Sequence, residues 1–191
     1  DEQESLDRTP QEVGQIDNPY IPGPALQLRN SLFVGRQDLV QQLERALSKE
    51  SHRPTFFLIG ERRMGKSSTL NQLPNLLGAR YFPIMFDLLV RGMSSSTAAF
   101  LGAIADEIYK VMSSRGMKIK KLGEEQLRDA IRENEAAAYR LFDEWLKELE
   151  RTLEEENRVL LLTFDEFEKL EEAAQAKYLD LSLLLDWFRS A

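Results

Sequence analysis

The sequence predicts an α/β fold in which a parallel sheet is layered between helices, and three observations predict it. Phe56-Phe57-Leu58-Ile59 is a short unbroken apolar run that leads straight into Gly60-Glu61-Arg62-Arg63-Met64-Gly65-Lys66-Ser67. Strand-like stretch, glycine-bracketed loop and helix start follow one another in the order that a parallel sheet with crossover helices needs. Val159-Leu160-Leu161-Leu162-Thr163-Phe164 is a second such run, and it ends on Asp165-Glu166. Between the two lies a segment, 94–157, whose apolar residues recur at helical spacing. A connection of that length is what parallel strands require.

Taken in order, residues 1–17 are polar and acidic with no hydrophobic period, and are expected to be a disordered tail. The domain is expected to fill 18–191. Asn18-Pro19-Tyr20-Ile21-Pro22-Gly23-Pro24 carries three prolines and is extended and stiff, with Tyr20 and Ile21 worth burying; a plain linker is the alternative. After Leu32-Phe33-Val34-Gly35-Arg36, the spacing of Leu39, Val40, Leu43, Ala46 and Leu47 predicts a helix. Pro54 to Ile59 reads as a first strand buried on both faces, because nothing polar interrupts it. A helix from Ser67 towards Leu77 follows, with Gly78 as its left-handed stop and Pro74 as a kink or early end.

Arg80 to Leu89 reads as a second strand, with Pro83 confining it to an edge. Ser94-Ser95-Ser96-Thr97 offers N-caps for a helix reaching Ser114, with Leu101, Ile104, Ile108, Val111 and Met112 on its apolar face and Gly116 closing it. Lys118, Lys120 and Lys121 read as a solvated loop. Glu124 to Glu156 is expected as a helical hairpin or one broken helix, with Leu141, Phe142, Trp145, Leu146, Leu149 and Leu153 as a core stripe. A last helix is expected over Glu171 to Phe188.

Composition narrows the chemistry. With 191 residues, 42% of them hydrophobic and 30% charged, the chain can build one substantial core. The absence of cysteine excludes disulfides and thiolate metal sites, and the single histidine, His52, reads as a loop residue. A net charge of −7 argues against nucleic-acid binding through bulk charge. No apolar run approaches a membrane span and no signal-peptide pattern opens the chain, so the cytoplasm is the expected compartment. The first residue is Asp1, and a fragment or processed chain is expected.

The loop carries the chemistry. Gly60 to Ser67 fits G-x-x-x-x-G-K-[ST], whose glycines let backbone N–H groups surround a phosphate. Lys66 is a point charge for the terminal phosphates, the Ser67 hydroxyl a ligand for Mg²⁺, and the helix start points its positive end at the same anion. Gly60, Arg63, Met64, Gly65, Lys66, Ser67 and Ser68 are therefore the expected nucleotide contacts. Arg62 and Arg63 either add positive potential there or face solvent. Asp165 and Glu166 close a strand where open α/β sheets place their ligands. Asp165 is placed to hold Mg²⁺ through its waters, opposite Ser67, and Glu166 to polarise a water in line with the γ-phosphate.

With both halves quoted, the chain resembles the AAA+-like P-loop ATPases, in particular the STAND signalling ATPases and archaeal-type relatives. Leu32-Phe33-Val34-Gly35-Arg36 is similar to their hydrophobic-Gly-Arg box, Gly60 to Ser67 to their Walker A, and Leu160 to Glu166 to their Walker B. The resemblance spans about Asn18 to Lys169. It implies a P-loop NTPase three-layer sandwich, ATP or ADP with Mg²⁺, Val34, Gly35 and Arg36 near adenine, and Glu166 as catalytic base. It also implies a strand order 5-1-4-3-2, with the later strands, sensor and lid lying beyond this chain. Phe56 to Ile59 would then lack its neighbour, and the isolated domain would be poorly stable or paired through that edge. Three functions stay open: a regulatory switch within a larger signalling protein, a DNA-linked ATPase like archaeal replication initiators, and a nucleotide-binding module that does not hydrolyse. A nucleotide kinase fits poorly, since no acceptor-binding cluster or lid is evident.

Overall fold

Tyr81–Asp87 (β1) and Val159–Asp165 (β2) meet in parallel, with Tyr81 opposite Val159 and Asp87 opposite Asp165. This is a computed structural model, and it describes residues 25–26, 33, 35–48, 55–90 and 95–190, the side chains of 189 and 190 excepted. Helices α1 (Gln37–Leu47) and α2 (Lys66–Leu76) precede β1. Three helices, α3 (Thr97–Ser114), α4 (Glu124–Glu133) and α5 (Glu135–Glu155), connect the strands, and α6 (Glu168–Gln175) and α7 (Leu181–Ser190) follow β2.

The strand period of two sorts the sheet's side chains to opposite faces. Phe82, Ile84 and Phe86 turn into the main core with Leu160, Leu162 and Phe164, and Phe86 stacks on Phe164 at 5.2 Å. There they meet Phe100, Leu101, Ile104, Ile108 and Met112 of α3 and Phe142, Leu149 and Leu153 of α5, all buried. Tyr81 and Leu161 turn the other way, against a smaller cluster of Val40 from α1 with Leu73 and Leu77 at the end of α2. Helices thus flank both faces of a two-stranded sheet, a partial form of the layered arrangement.

Local chemistry fixes most boundaries. The Ser96 hydroxyl accepts from the Ala99 N–H at 3.1 Å and starts α3, while Gly116, at φ +80°, lies just past its end. Asn134 accepts from the Ala137 N–H at 2.9 Å, so α4 and α5 form a hairpin rather than one helix. The α5 stripe is buried as expected apart from Leu141, which is half-buried. Gly102 marks where α4 crosses α3: a Cβ there would lie 3.0 Å from Cβ of Glu124. Lys121 pairs with Asp106 at 3.1 Å, and Lys118 and Lys120 stay on a solvated loop.

Three expectations need correction. Phe56–Ile59 is not a buried strand: among the described residues it joins no sheet, and Phe56, Phe57 and Ile59 are 42%, 64% and 89% exposed. Apolarity makes a strand only where neighbours supply a ladder and cover both faces. Here β2 is paired with β1, and the run is held by weaker contacts: Phe57 edge-on to Phe167 at 5.9 Å, and the Thr55 hydroxyl donating to the Phe188 carbonyl at 3.0 Å. The adjacency of β1 and β2 does agree with the expected strand order.

The expected last helix is two. Lys177 takes φ 60°, the Tyr178 N–H reaches the Ala173 carbonyl at 2.9 Å, and the Lys177 N–H reaches Ala174 at 2.9 Å, a Schellman ending without glycine. Asp180 then accepts from the Ser182 and Leu183 N–H groups and starts α7. Finally, Gly78 does stand at C′ of α2, one past the Leu77 cap, but without the left-handed φ that a C′ glycine usually supplies. That helix runs two residues past Pro74 to Leu76, and the Leu77 N–H closes it on the Leu73 carbonyl at 2.9 Å. The expectations for residues 1–17, Asn18–Pro24, Leu32, Val34, His52 and Pro54 lie outside the described residues.

Candidate functional site

The N-terminus of α2 is where the loop residues converge. Arg63 and Gly65 adopt left-handed conformations, φ 65° and 79°, and the turn between Glu61 and Met64 is closed by the Met64 N–H on the Glu61 carbonyl at 3.4 Å. Glycine is favoured at 65 by that backbone, and a side chain in the same conformation at Arg63 bears some strain, on the order of 1–2 kcal/mol. Gly60 differs from expectation: it needs no special φ, and a Cβ there would touch only Met64 Cβ at 3.9 Å. The tightness of the fold does not demand glycine at 60; close approach of a ligand is the remaining physical reason.

Lys66 closes the loop on itself. Its ammonium donates to the Gly60 carbonyl at 2.9 Å and the Glu61 carbonyl at 3.0 Å, which uses two of its three donors. The cation is thereby held across the loop mouth, where the first-turn N–H groups of α2 also point. Thr69 ties the loop from below, with its N–H and its hydroxyl both on the Gly65 carbonyl at 2.9 Å. Arg62 and Arg63 are exposed.

Ser67 lines a cleft of about 410 Å³ together with Asn71 of α2, Met85 and Asp87 of β1, Asp165 of β2, and Ala25. Leu26 forms part of the same rim: its N–H donates to the Ser68 hydroxyl at 2.9 Å, and Asn71 donates to its carbonyl at 3.3 Å. The structure therefore brings Ser67 and Asp165 to one cleft, while the Ser68 hydroxyl faces the Leu26 backbone. Gly35 and Arg36 lie beside the loop, with the Arg36 guanidinium on the Met64 carbonyl at 2.5 Å. Val34 is outside the described residues.

Glu166 follows β2 in a left-handed conformation, φ 54°, with its N–H on Asp165 Oδ1 at 3.1 Å. Its carboxyl is pushed above the ordinary range, first by a hydrogen bond with Glu168, then by partial burial and by the charges of Glu168 and Asp165, against a pull from Arg62. Glu168 is held below its ordinary value by a backbone hydrogen bond, by the same contact with Glu166, and by Lys169 and Lys66. Two neighbouring carboxylates with opposed shifts favour one shared proton.

Oxygen donors on Ser67, Asp165 and Asp87 suit a hard cation, yet no group of three or more Asp, Glu, His or Cys residues able to hold a metal occurs among the described residues. Sequence reasoning missed Asp87, Asn71 and Glu168. The rule that singled out Asp165, ligands at the carboxyl ends of parallel strands, applies equally to Asp87 as the last residue of β1. Nothing in the sequence distinguished Glu168 or Asn71 from ordinary helix-surface residues. No helix among the described residues is long and apolar enough to cross a membrane.

A family model for the AAA ATPase domain matches residues 32–186. No curated protein and no solved structure matches the chain.

Proposed function

The chain belongs to the AAA ATPase domain family, and on that premise we propose that it binds ATP or ADP with Mg²⁺ and acts as an ATP-hydrolysing regulatory module, a STAND-like switch in the cytoplasm. The observation that carries the reading is the single cleft that Ser67 at the start of α2 shares with Asp165 at the end of β2, next to a loop already closed by Lys66. In this reading residues 18–191 act as one ATPase unit working against other domains or subunits.

The roles follow from chemistry. Lys66 offers a fixed cation and its remaining donor to the terminal phosphates, and the first-turn N–H groups of α2 offer the positive end of the helix. Ser67 and Asp165 would hold Mg²⁺, directly and through waters, and the ion would neutralise charge between the outer phosphates. Glu166, when ionised, takes a proton from the attacking water; Glu168 sets how readily it is ionised. The net charge of −7 makes a DNA-linked ATPase the weaker alternative.

Calorimetry with ATP and ADP in the presence of Mg²⁺, alongside phosphate release with and without DNA, tests the reading. Saturable binding with slow, DNA-independent hydrolysis is expected. Binding without turnover would select the non-hydrolysing module, stimulation by DNA would select the initiator-like reading, and no binding at all would reject the proposal.

A further inference from the structure

Helices α1 and α2 contribute to one small apolar cluster: Val40 of α1 lies with Leu73 and Leu77 at the end of α2, and Leu43, Leu47, Leu70 and Leu76 fill in around them. Arg36, the residue just before α1, spans by its side chain to the loop just before α2. Gly35 and Arg36 both take left-handed conformations, φ 84° and 63°, which is uncommon for a non-glycine residue. The outcome of this turn is specific: Arg36 Nη2 donates to the Met64 carbonyl at 2.5 Å, and the same nitrogen lies 4.0 Å from where a Cβ on Gly65 would be.

We infer that Arg36 is a positioning residue for the phosphate loop, holding the Met64–Gly65 peptide in the conformation that aims the Gly65 N–H at a phosphate. This rests on the nucleotide-binding reading above and departs from the placement of Arg36 beside the base. A peptide whose carbonyl is fixed from one side presents its N–H on the other, because the amide is planar and its two groups point in opposite directions. Lys66 fixes the Gly60 and Glu61 carbonyls in the same way, so the two cations hold the loop at its beginning and its end while one of them remains next to the ligand. Gly65 at φ 79° has to be held, since glycine loses most conformational freedom on being ordered.

The two roles for Arg36 differ in what they would recognise. A residue at the base affects ligands that have a base; a residue holding the loop affects anything with phosphates. The experiment measures competition of Mg-ATP and of inorganic Mg-tripolyphosphate against a fluorescent ATP analogue, for the intact chain and for Arg36→Ala, Arg36→Lys and Arg36→Gln. Loss of one charge-assisted bond at an exposed site is expected to weaken ATP and tripolyphosphate alike, by roughly three- to tenfold in Arg36→Ala. Lysine keeps a charged donor of similar reach and should recover most of the affinity for both ligands.

Weaker ATP with unchanged tripolyphosphate would overturn the inference and return Arg36 to the base, and so would unchanged binding of both. A native chain that binds ATP but not tripolyphosphate would overturn it as well, because the loop would not then hold phosphates by its own geometry. If the native chain binds neither, the nucleotide-binding reading fails along with it. Should Arg36→Ala not fold, the lysine and glutamine variants decide: equal losses for the two ligands support the positioning role, and a loss confined to ATP removes it.

Discussion

Replacing Lys66 with alanine removes the cation that spans the loop mouth, and the structure sets the size of the effect. A unit charge about 4 Å from a phosphate is worth ~4 kcal/mol at the effective dielectric of a protein surface. Lys66 is half-buried, and net of solvation a hydrogen bond to a charged group keeps about 1.5–3 kcal/mol, taken here near the upper end, ~2.8 kcal/mol. The corresponding loss of affinity is roughly 100-fold. At a nucleotide concentration about 100 times its dissociation constant, the native chain gains ~2.7 kcal/mol, which for a domain of this size raises the melting temperature by about 5–10 °C. The variant at the same concentration gains only ~0.4 kcal/mol, about 1 °C. Without nucleotide the variant loses just two exposed hydrogen bonds, to Gly60 and Glu61, together about 1 kcal/mol. Thermal melts with and without Mg-ATP, supported by calorimetry, separate these terms. Equal nucleotide-induced shifts in both proteins would refute the reasoning.

Substitutions at four further residues give separate tests. Glu166→Gln should leave nucleotide affinity within about threefold and lower kcat at least 100-fold, since it removes a base but keeps the shape, and Asp165→Asn should instead raise the Mg²⁺ concentration needed for binding, read by metal titration. Hydrolysis should fall as pH drops through the raised pKa of Glu166, because the working form is the ionised one. Glu168→Gln removes the neighbour that keeps that proton on, so the acid limb of the pH–rate profile should move to lower pH; an unmoved limb would separate the two carboxyls. Gly102→Ala should destabilise the fold by about 1–3 kcal/mol in denaturant melts despite alanine's better helix propensity, because its methyl would meet Glu124 at 3.0–3.3 Å, including backbone.

What the amino-acid order determined by itself was local. The Gly60–Ser67 pattern, the cap at Ser96, the stripes of α3 and α5 and the run ending at Asp165 all depend on residues within a turn or two of each other. Such signals survive in the sequence because backbone geometry and side-chain period are short-range properties. Lys177 defeats even this, since the left-handed stop between α6 and α7 is made without a glycine, its own N–H closing on the Ala174 carbonyl and that of Tyr178 on Ala173, with Leu179 buried next to them. Tertiary structure alone decided the rest. Phe56–Ile59 is as apolar as β2, yet it is exposed because a ladder partner, not composition, makes a strand. Asp87 became part of the cleft only when β1 took its place in register beside β2. Arg36 meets Met64, 28 positions away, through a contact that only the tertiary structure makes. Contacts between residues distant in sequence are specified by the packing of the whole, where no local pattern records them.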